Sequence, residues 1–304
     1  FEEFRMANGV GTTAIDAMRE CFNGLEALSE SMHNKMLDLF KKYLIVGGLP
    51  KAVETFIDSR NIVEIRSVKN EVQDLYEVDC TKYEGEHNRR LKIRRIYEMV
   101  PSTLENKKKR VVIKDIENKS WKRADIYIEE FDYLISAQIT LEVNTINKPS
   151  YPLIENSGKN LLKLYLNDVG ILSALYYRNN IKAIIDDIRS INLGSVYETV
   201  VAQELKAHGY NLYYYDNKKN GEVDFLIDDA DNLSNIPLEI KSGKDYSIHS
   251  ALTRFLAMDE YNIKKAYVLS NERKVYSDGG ITYIPIYYVM FFENISNVVE
   301  TFID

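Results

Sequence analysis

Apolar positions recur at helical spacing through the first hundred residues and at strand spacing further on. Met6 to Glu20, Met32 to Tyr43, Lys51 to Ile57, Ile62 to Tyr76 and Glu86 to Met99 show the three-to-four-residue period of amphipathic helices, the last ending before Pro101. Ile45-Val-Gly-Gly-Leu-Pro50 interrupts this series, and its double glycine reads as a turn with close helix approach. Lys122 to Leu134 is a further amphipathic helix, with Ala124, Ile126 or Tyr127, Phe131 and Leu134 inward. Ile139 to Val143 and Leu161 to Leu166 then read as strands around an Asn-, Pro- and Gly-containing loop. A helix followed by a hairpin is the order in which a winged helix-turn-helix presents its recognition helix and wing. Ile171 to Tyr177 and Ile181 to Ile188 form a helical connector.

The C-terminal third changes period. Gly194 to Ala207 is helical, Tyr210 to Asp216 reads as a strand, and Asn217 to Gly221 as a hairpin turn. In Glu222 to Ile227 the side chains alternate: Glu222, Asp224 and Leu226 share one face, and Val223, Phe225 and Ile227 the other. After a turn-forming run through Asn235, Glu239 and Lys241 share a face opposite Leu238 and Ile240. Ser247 to Tyr261 reads as a helix, and Ala266 to Ser270 and Ile284 to Phe292 as strands.

That pattern brings chemistry together. Antiparallel pairing would set Asp224 alongside Glu239 and Lys241, because facing residues on paired strands lie about 5 Å apart. Two carboxylates suit Mg²⁺ or Mn²⁺, which take oxygen ligands, and the lysine would hold a phosphate oxygen or orient water. Glu198 falls on an apolar stripe with Val201, Ala202 and Leu205, where a carboxylate needs a partner. The order of helix Glu198, strand Asp224, then Glu239-Ile-Lys241 resembles the PD-(D/E)XK nuclease fold. The resemblance implies Glu198, Asp224, Glu239 and Lys241 as catalytic residues, with Asp224, Glu239 and Glu198 facing the metal.

Composition bounds the rest. The 304 residues are 45% hydrophobic and 28% charged, which fits a soluble chain of two or three domains. The apolar run from Ile284 to Phe292 is too short to span a membrane, and Cys21 and Cys80 give no disulfide framework, as expected of a cytoplasmic protein. The net charge of −7 disfavours nucleic acid, but residues 86–124 hold 13 Lys and Arg against 5 Asp and Glu, leaving about −15 elsewhere. Arg90, Arg94, Lys107, Lys108, Lys109, Arg110, Lys122 and Arg123 are the candidates for DNA contact. The acidic residues after Lys122 and Arg123 leave two readings open: DNA contact, or a winged helix packed on protein. No Gly-x-x-x-x-Gly-Lys-Ser/Thr occurs, so these residues lack that kind of nucleotide site.

Phe1-Glu-Glu-Phe4, Tyr43-Leu-Ile-Val-Gly-Gly-Leu-Pro50, Lys163-Leu-Tyr-Leu-Asn-Asp-Val-Gly170, Tyr197-Glu198, Glu222-Val-Asp-Phe225 and Glu239-Ile-Lys-Ser-Gly243 follow one another in order. Together they resemble the prokaryotic AAA-type ATPases that end in the domain of unknown function 4143. The resemblance implies an ATP-binding P-loop domain before Phe1, and so a partner within the same protein. It implies a helical segment over 1–85, a winged-helix-like domain over 86–178 and a nuclease-like α/β domain over 190–304. The expected fold is thus α+β to α/β. The expected function is DNA processing or binding, with Mg²⁺-dependent phosphodiester hydrolysis. The alternative is an inactive nuclease-like fold that binds DNA or protein for the ATPase.

Overall fold

The computed structural model describes residues 1–82, 87–106, 109–111, 127–186, 188, 191–243 and 250–294. The N-terminal part is helical: α1 (Glu2–Ala7), α2 (Thr12–Gly24), α3 (Glu30–Val46), α4 (Pro50–Ser59), α5 (Ile62–Lys82) and α6 (His87–Glu105). Ser29 caps α3 by accepting from the Met32 N–H at 3.3 Å. Met36, Leu39, Phe40, Tyr43 and Leu44 form the buried stripe of α3. Pro50 opens α4, where its missing N–H costs nothing.

Three expectations give way here. The helix expected over Met6 to Glu20 breaks at Asn8–Gly11, where Gly9 takes a left-handed φ of 80°. Helix α6 continues through Pro101 to Glu105. Burial of Val100, Thr103 and Leu104 outweighs the one hydrogen bond that a proline removes. The connector expected over Ile181 to Ile188 narrows to a single helical turn, Lys182–Ile185.

A mixed eight-stranded sheet follows, in the order β2-β1-β3-β4-β5-β6-β8-β7. Its strands are β1 (Thr140–Ile146), β2 (Ser157–Leu166), β3 (Tyr213–Asn217), β4 (Gly221–Asp229), β5 (Ser234–Ile240), β6 (Ala266–Ser270), β7 (Tyr276–Asp278) and β8 (Ile281–Pro285). The hairpin β1–β2, preceded by α7 (Ile128–Ser136), is the one expected as a wing. It runs parallel to β3 through Asn144–Tyr213, Thr145–Tyr214 and Ile146–Tyr215. The expected winged-helix and nuclease-like segments therefore share one sheet. The strand expected over Ile284 to Phe292 ends at Pro285, and Ile286–Phe291 forms a buried 3₁₀ turn instead. The helix expected from Ser247 is described from Ser250 to Leu256.

The two faces of the sheet bury different cores. Phe225, Ile227, Leu238, Ile240 and Leu269 join the larger core with α3, α6, α8 (Val169–Tyr177) and α10 (Gly194–Ala207). Val223, Leu226 and Val268 join the smaller core with Leu252 and Phe255 of α11 (Ser250–Leu256). Short α9 is the Lys182–Ile185 turn.

A lock fixes α8 and α10 to the N-terminal helices. Asp168 caps α8 by accepting from Ile171 N–H at 3.0 Å and also accepts from Gly48 N–H at 2.7 Å. Gly47 takes a φ of 81°, and a Cβ on Gly170 would lie 2.5 Å from the Val46 carbonyl oxygen. The Gly-Gly turn and Asp168-Val-Gly170 thus interlock. Val169 N–H donates to Gln203 Oε1 on α10 at 2.9 Å, which ties that helix to the lock.

Candidate active site

The geometry starts with an irregularity in β4. Tyr213 pairs with Leu226 and Tyr215 with Val223, so β4 spends three steps where β3 spends two. This bulge lies at Asp224 and Phe225. It splits the face expected to be common: Val223 and Leu226 enter the smaller core, while Phe225 and Ile227 enter the larger one. Strict alternation from Glu222 to Ile227 is therefore corrected. A bulge re-aims the side chains beside it. The Asp224 carboxylate turns to β5, where Oδ2 accepts from Ile240 N–H at 2.8 Å.

On β5, Glu239 and Lys241 do share a face: Lys241 Nζ donates to Glu239 Oε1 at 2.8 Å. Glu239 is buried, and its Oε2 has no hydrogen-bond donor among the described residues. Glu198 approaches on α10, also buried. Tyr165 OH donates to its Oε2 at 2.9 Å, and the Lys109 ammonium pairs with its Oε1. Lys163, fully buried beneath the Tyr214 ring, pairs with Glu222.

These groups share one electrostatic field. Burial, then Glu239 and Glu198, push the Asp224 carboxyl well above the usual carboxylate range, opposed by Lys109 and Lys163. Burial also raises Glu239, against the pull of Lys241. Burial lowers the Lys109 ammonium, but Glu198, Asp224 and Glu222 outweigh it and leave it raised. Burial and then Glu198 raise the Tyr165 hydroxyl. Yet the acids do not close into a ready cage. Among the described residues, no group of three His, Cys, Asp or Glu side chains is gathered closely enough to hold a metal ion.

Sequence reasoning missed the counter-charges. Lys163 and Tyr165 alternate with leucines over Leu162–Leu166, and that was a readable signal of inward polar groups. Nothing local announces that Lys109 reaches Glu198, 89 positions away.

The described candidate nucleic-acid residues have partners of their own. Arg94 pairs with Glu77 at 3.0 Å and Glu98 at 2.8 Å. Arg110 pairs with Asp216, Lys109 with Glu198, and Arg90 also makes an intramolecular interaction. Lys107, Lys108, Lys122 and Arg123 lie outside the described residues. No helix among the described residues is long and apolar enough to cross a membrane.

A cavity of about 1030 Å³ lies near the C-terminal end of α10, lined by Phe1, Tyr43, Gly48, Asp168 and Glu204 among others. Its Glu204 already accepts from Tyr43 OH at 2.9 Å. Asp168 in the same wall is raised by burial, but it accepts from the Gly48 and Ile171 amides. The carboxyls that oppose one another's charge gather on β4 and β5 instead, and that is where the candidate site belongs.

Comparison with known families gives two partial matches. Residues 193–289 match the family described as domain of unknown function (DUF4143), and residues 37–183 match domain of unknown function (DUF8612). No curated protein and no solved structure matches the chain.

Proposed function

We propose that residues 190–304 form a PD-(D/E)XK-type nuclease-like module in the C-terminal region of an AAA-type ATPase, built for Mg²⁺-dependent phosphodiester hydrolysis. The DUF4143 match, within which Glu198, Asp224, Glu239 and Lys241 all fall, supports this. The observation that carries it is a pair of buried carboxyls, Asp224 and Glu239, whose ionisation is opposed first by burial and then by neighbouring carboxylates, beside a strand bulge. Such frustration is costly for folding and typical of functional sites.

The residues suit a hard cation. The buried Oε2 of Glu239, which has no donor among the described residues, is an oxygen in want of a positive partner. Asp224 and Glu239 would hold Mg²⁺ or Mn²⁺, with Glu198 supporting from α10. When bound, the ion would polarise the phosphoryl group and lower the pKa of a coordinated water. The chain's own groups do the positioning. Ile240 N–H fixes the rotamer of Asp224, and Tyr165 fixes that of Glu198. Lys241 orients Glu239 and stands ready to direct water.

A second reading is a binding module that keeps this fold without hydrolysis. The observation favouring it is that Glu198 and Glu239 each already hold a lysine. The hairpin β1–β2 and helix α7 would then serve as a winged-helix-like contact for DNA or protein. Plasmid and single-strand cleavage with Mg²⁺ or Mn²⁺, comparing wild type with Asp224→Ala, separates the two. Cleavage lost in the variant supports the hydrolase. Cleavage that survives it removes these residues from the chemistry, and salt-dependent DNA binding without cleavage selects the module.

A further inference from the structure

We infer that Lys109 is the resident cation of the acid site, and that a divalent metal enters only by displacing its ammonium from Glu198. The inference rests on the metal-site reading above and adds to it a competing group from outside the nuclease-like segment.

The contact is built from both sides. Glu198 is 4% exposed, and each of its oxygens is engaged, one by Tyr165 and one by Lys109. Lys109 itself stands on a short stretch pinned to the sheet. Val111 N–H donates to the Leu162 carbonyl of β2 at 3.1 Å. Arg110 pairs with Asp216 of β3, and its guanidinium lies 5.7 Å from the Tyr214 ring centre. Lys109 has a φ of 49°, a left-handed conformation that a non-glycine residue takes only where its surroundings insist. The two anchors on its C-terminal side supply that insistence and deliver the side chain to α10.

Geometry gives the reason for exchange. Tyr165 holds one Glu198 oxygen and Lys109 the other, so a metal reaching this carboxylate competes with one of them for an oxygen. Tyr165 is fully buried and neutral, whereas the Lys109 ammonium would repel an incoming cation at contact distance. Lys163 is a poorer candidate to leave, because it is fully buried and capped by Tyr214. Lys109 is 17% exposed and has a path to water. Among the described residues the Lys241 ammonium donates to its strand neighbour Glu239, and it fits the role of water positioning instead.

The test is metal affinity, measured by isothermal calorimetry with Mn²⁺ at one pH and low salt. Lys109→Met keeps the stem and removes the charge, and should bind at least about tenfold tighter than wild type, about 1.4 kcal/mol. Lys109→Arg should stay weak. Equal affinity in wild type and Lys109→Met overturns the inference while leaving the metal site standing. No binding in any form, or binding undiminished in Asp224→Ala, overturns the site reading itself. A measurement on the unaltered chain guards against misfolding of the variants. Reductive methylation of Lys109, mapped by mass spectrometry, should rise when Mn²⁺ is added, and an unchanged rate overturns the inference.

Discussion

Asp168→Ala should unlatch the helix that carries Glu198. Asp168 is 2% exposed and accepts from two backbone amides, Ile171 at 3.0 Å and Gly48 at 2.7 Å. Loss of the cap on α8 costs about 1 kcal/mol. Loss of a charged acceptor for the Gly48 N–H costs about 1.5–3 kcal/mol, since that amide donates to a buried carboxylate. Burial raises the Asp168 carboxyl, so deleting a disfavoured charge returns part of this. Against that, the buried Lys69 loses the carboxylate that steadies its ammonium. The expected net loss is about 2–4 kcal/mol. Asp168→Asn retains an acceptor for the cap and should lose roughly half as much. Urea unfolding followed by circular dichroism measures both, with unchanged slopes required for the comparison. A loss below about 1 kcal/mol for Asp168→Ala, or equal losses for the two variants, would refute the lock as the source of this stability.

Three further outcomes follow from the same geometry. Gly170→Ala places a Cβ 2.5 Å from the Val46 carbonyl oxygen, so two backbones must part, and a loss of about 3 kcal/mol is expected in the same unfolding assay; a cost within experimental error contradicts the close approach. Burial holds the Lys69 pKa at about 8 against an ordinary 10.5, so between those values the unfolded chain binds more protons and stability rises with pH. The rise attributable to Lys69 is about 3 kcal/mol, absent below pH 8, and Lys69→Met should abolish it in unfolding curves taken from pH 7.5 to 10; a wild-type and variant difference that does not change with pH denies the shift. Asp224→Asn keeps the acceptor for Ile240 N–H and removes the charge opposed by burial, Glu239 and Glu198, so it should be at least as stable as wild type at pH 7–8 while losing metal affinity; clear destabilisation would mark Asp224 as a structural ion-pair member instead.

Period-based reasoning found the elements wherever one element's own side chains decide its state. Ile62, Ile65, Lys69, Val72 and Tyr76 recur at helical spacing, and α5 forms over them. Lys241 and Glu239, two apart, do meet on one strand face. The failures have a common physics, because each is settled by a distant partner. Parallel pairing of β1 with β3 joins residues about 70 positions apart and leaves no local trace. The bulge at Asp224 is invisible to a period-two reading, since that reading presumes an unbroken ladder. Pro101 sits in a helix because Val100 and Leu104 are buried on either side of it. Lys109 reads as a candidate DNA contact within a basic run, and only the fold shows that it turns inward to Glu198.

Helix α10 joins these observations. Glu198 and Glu204 are six residues apart on it, about 9 Å along the axis. One faces the acid cluster, and the other receives Tyr43 beside the Gly47–Gly48 turn. Gln203, next to Glu204, links Val169 to Tyr43 through its two amide atoms. An α-helix is stiff over this length, so the position of Glu198 is set from two ends. Tyr165 and Lys109 hold the side chain directly, and the lock holds the backbone beneath it. A carboxylate on an isolated helix would retreat to solvent from a field as hostile as that of Asp224 and Glu239. It stays because the packing of Val196, Val200 and Val201 and the Asp168 lock together leave α10 nowhere else to go. The segments quoted at the start and middle of the chain, far from the acids in sequence, therefore serve the candidate site through this helix.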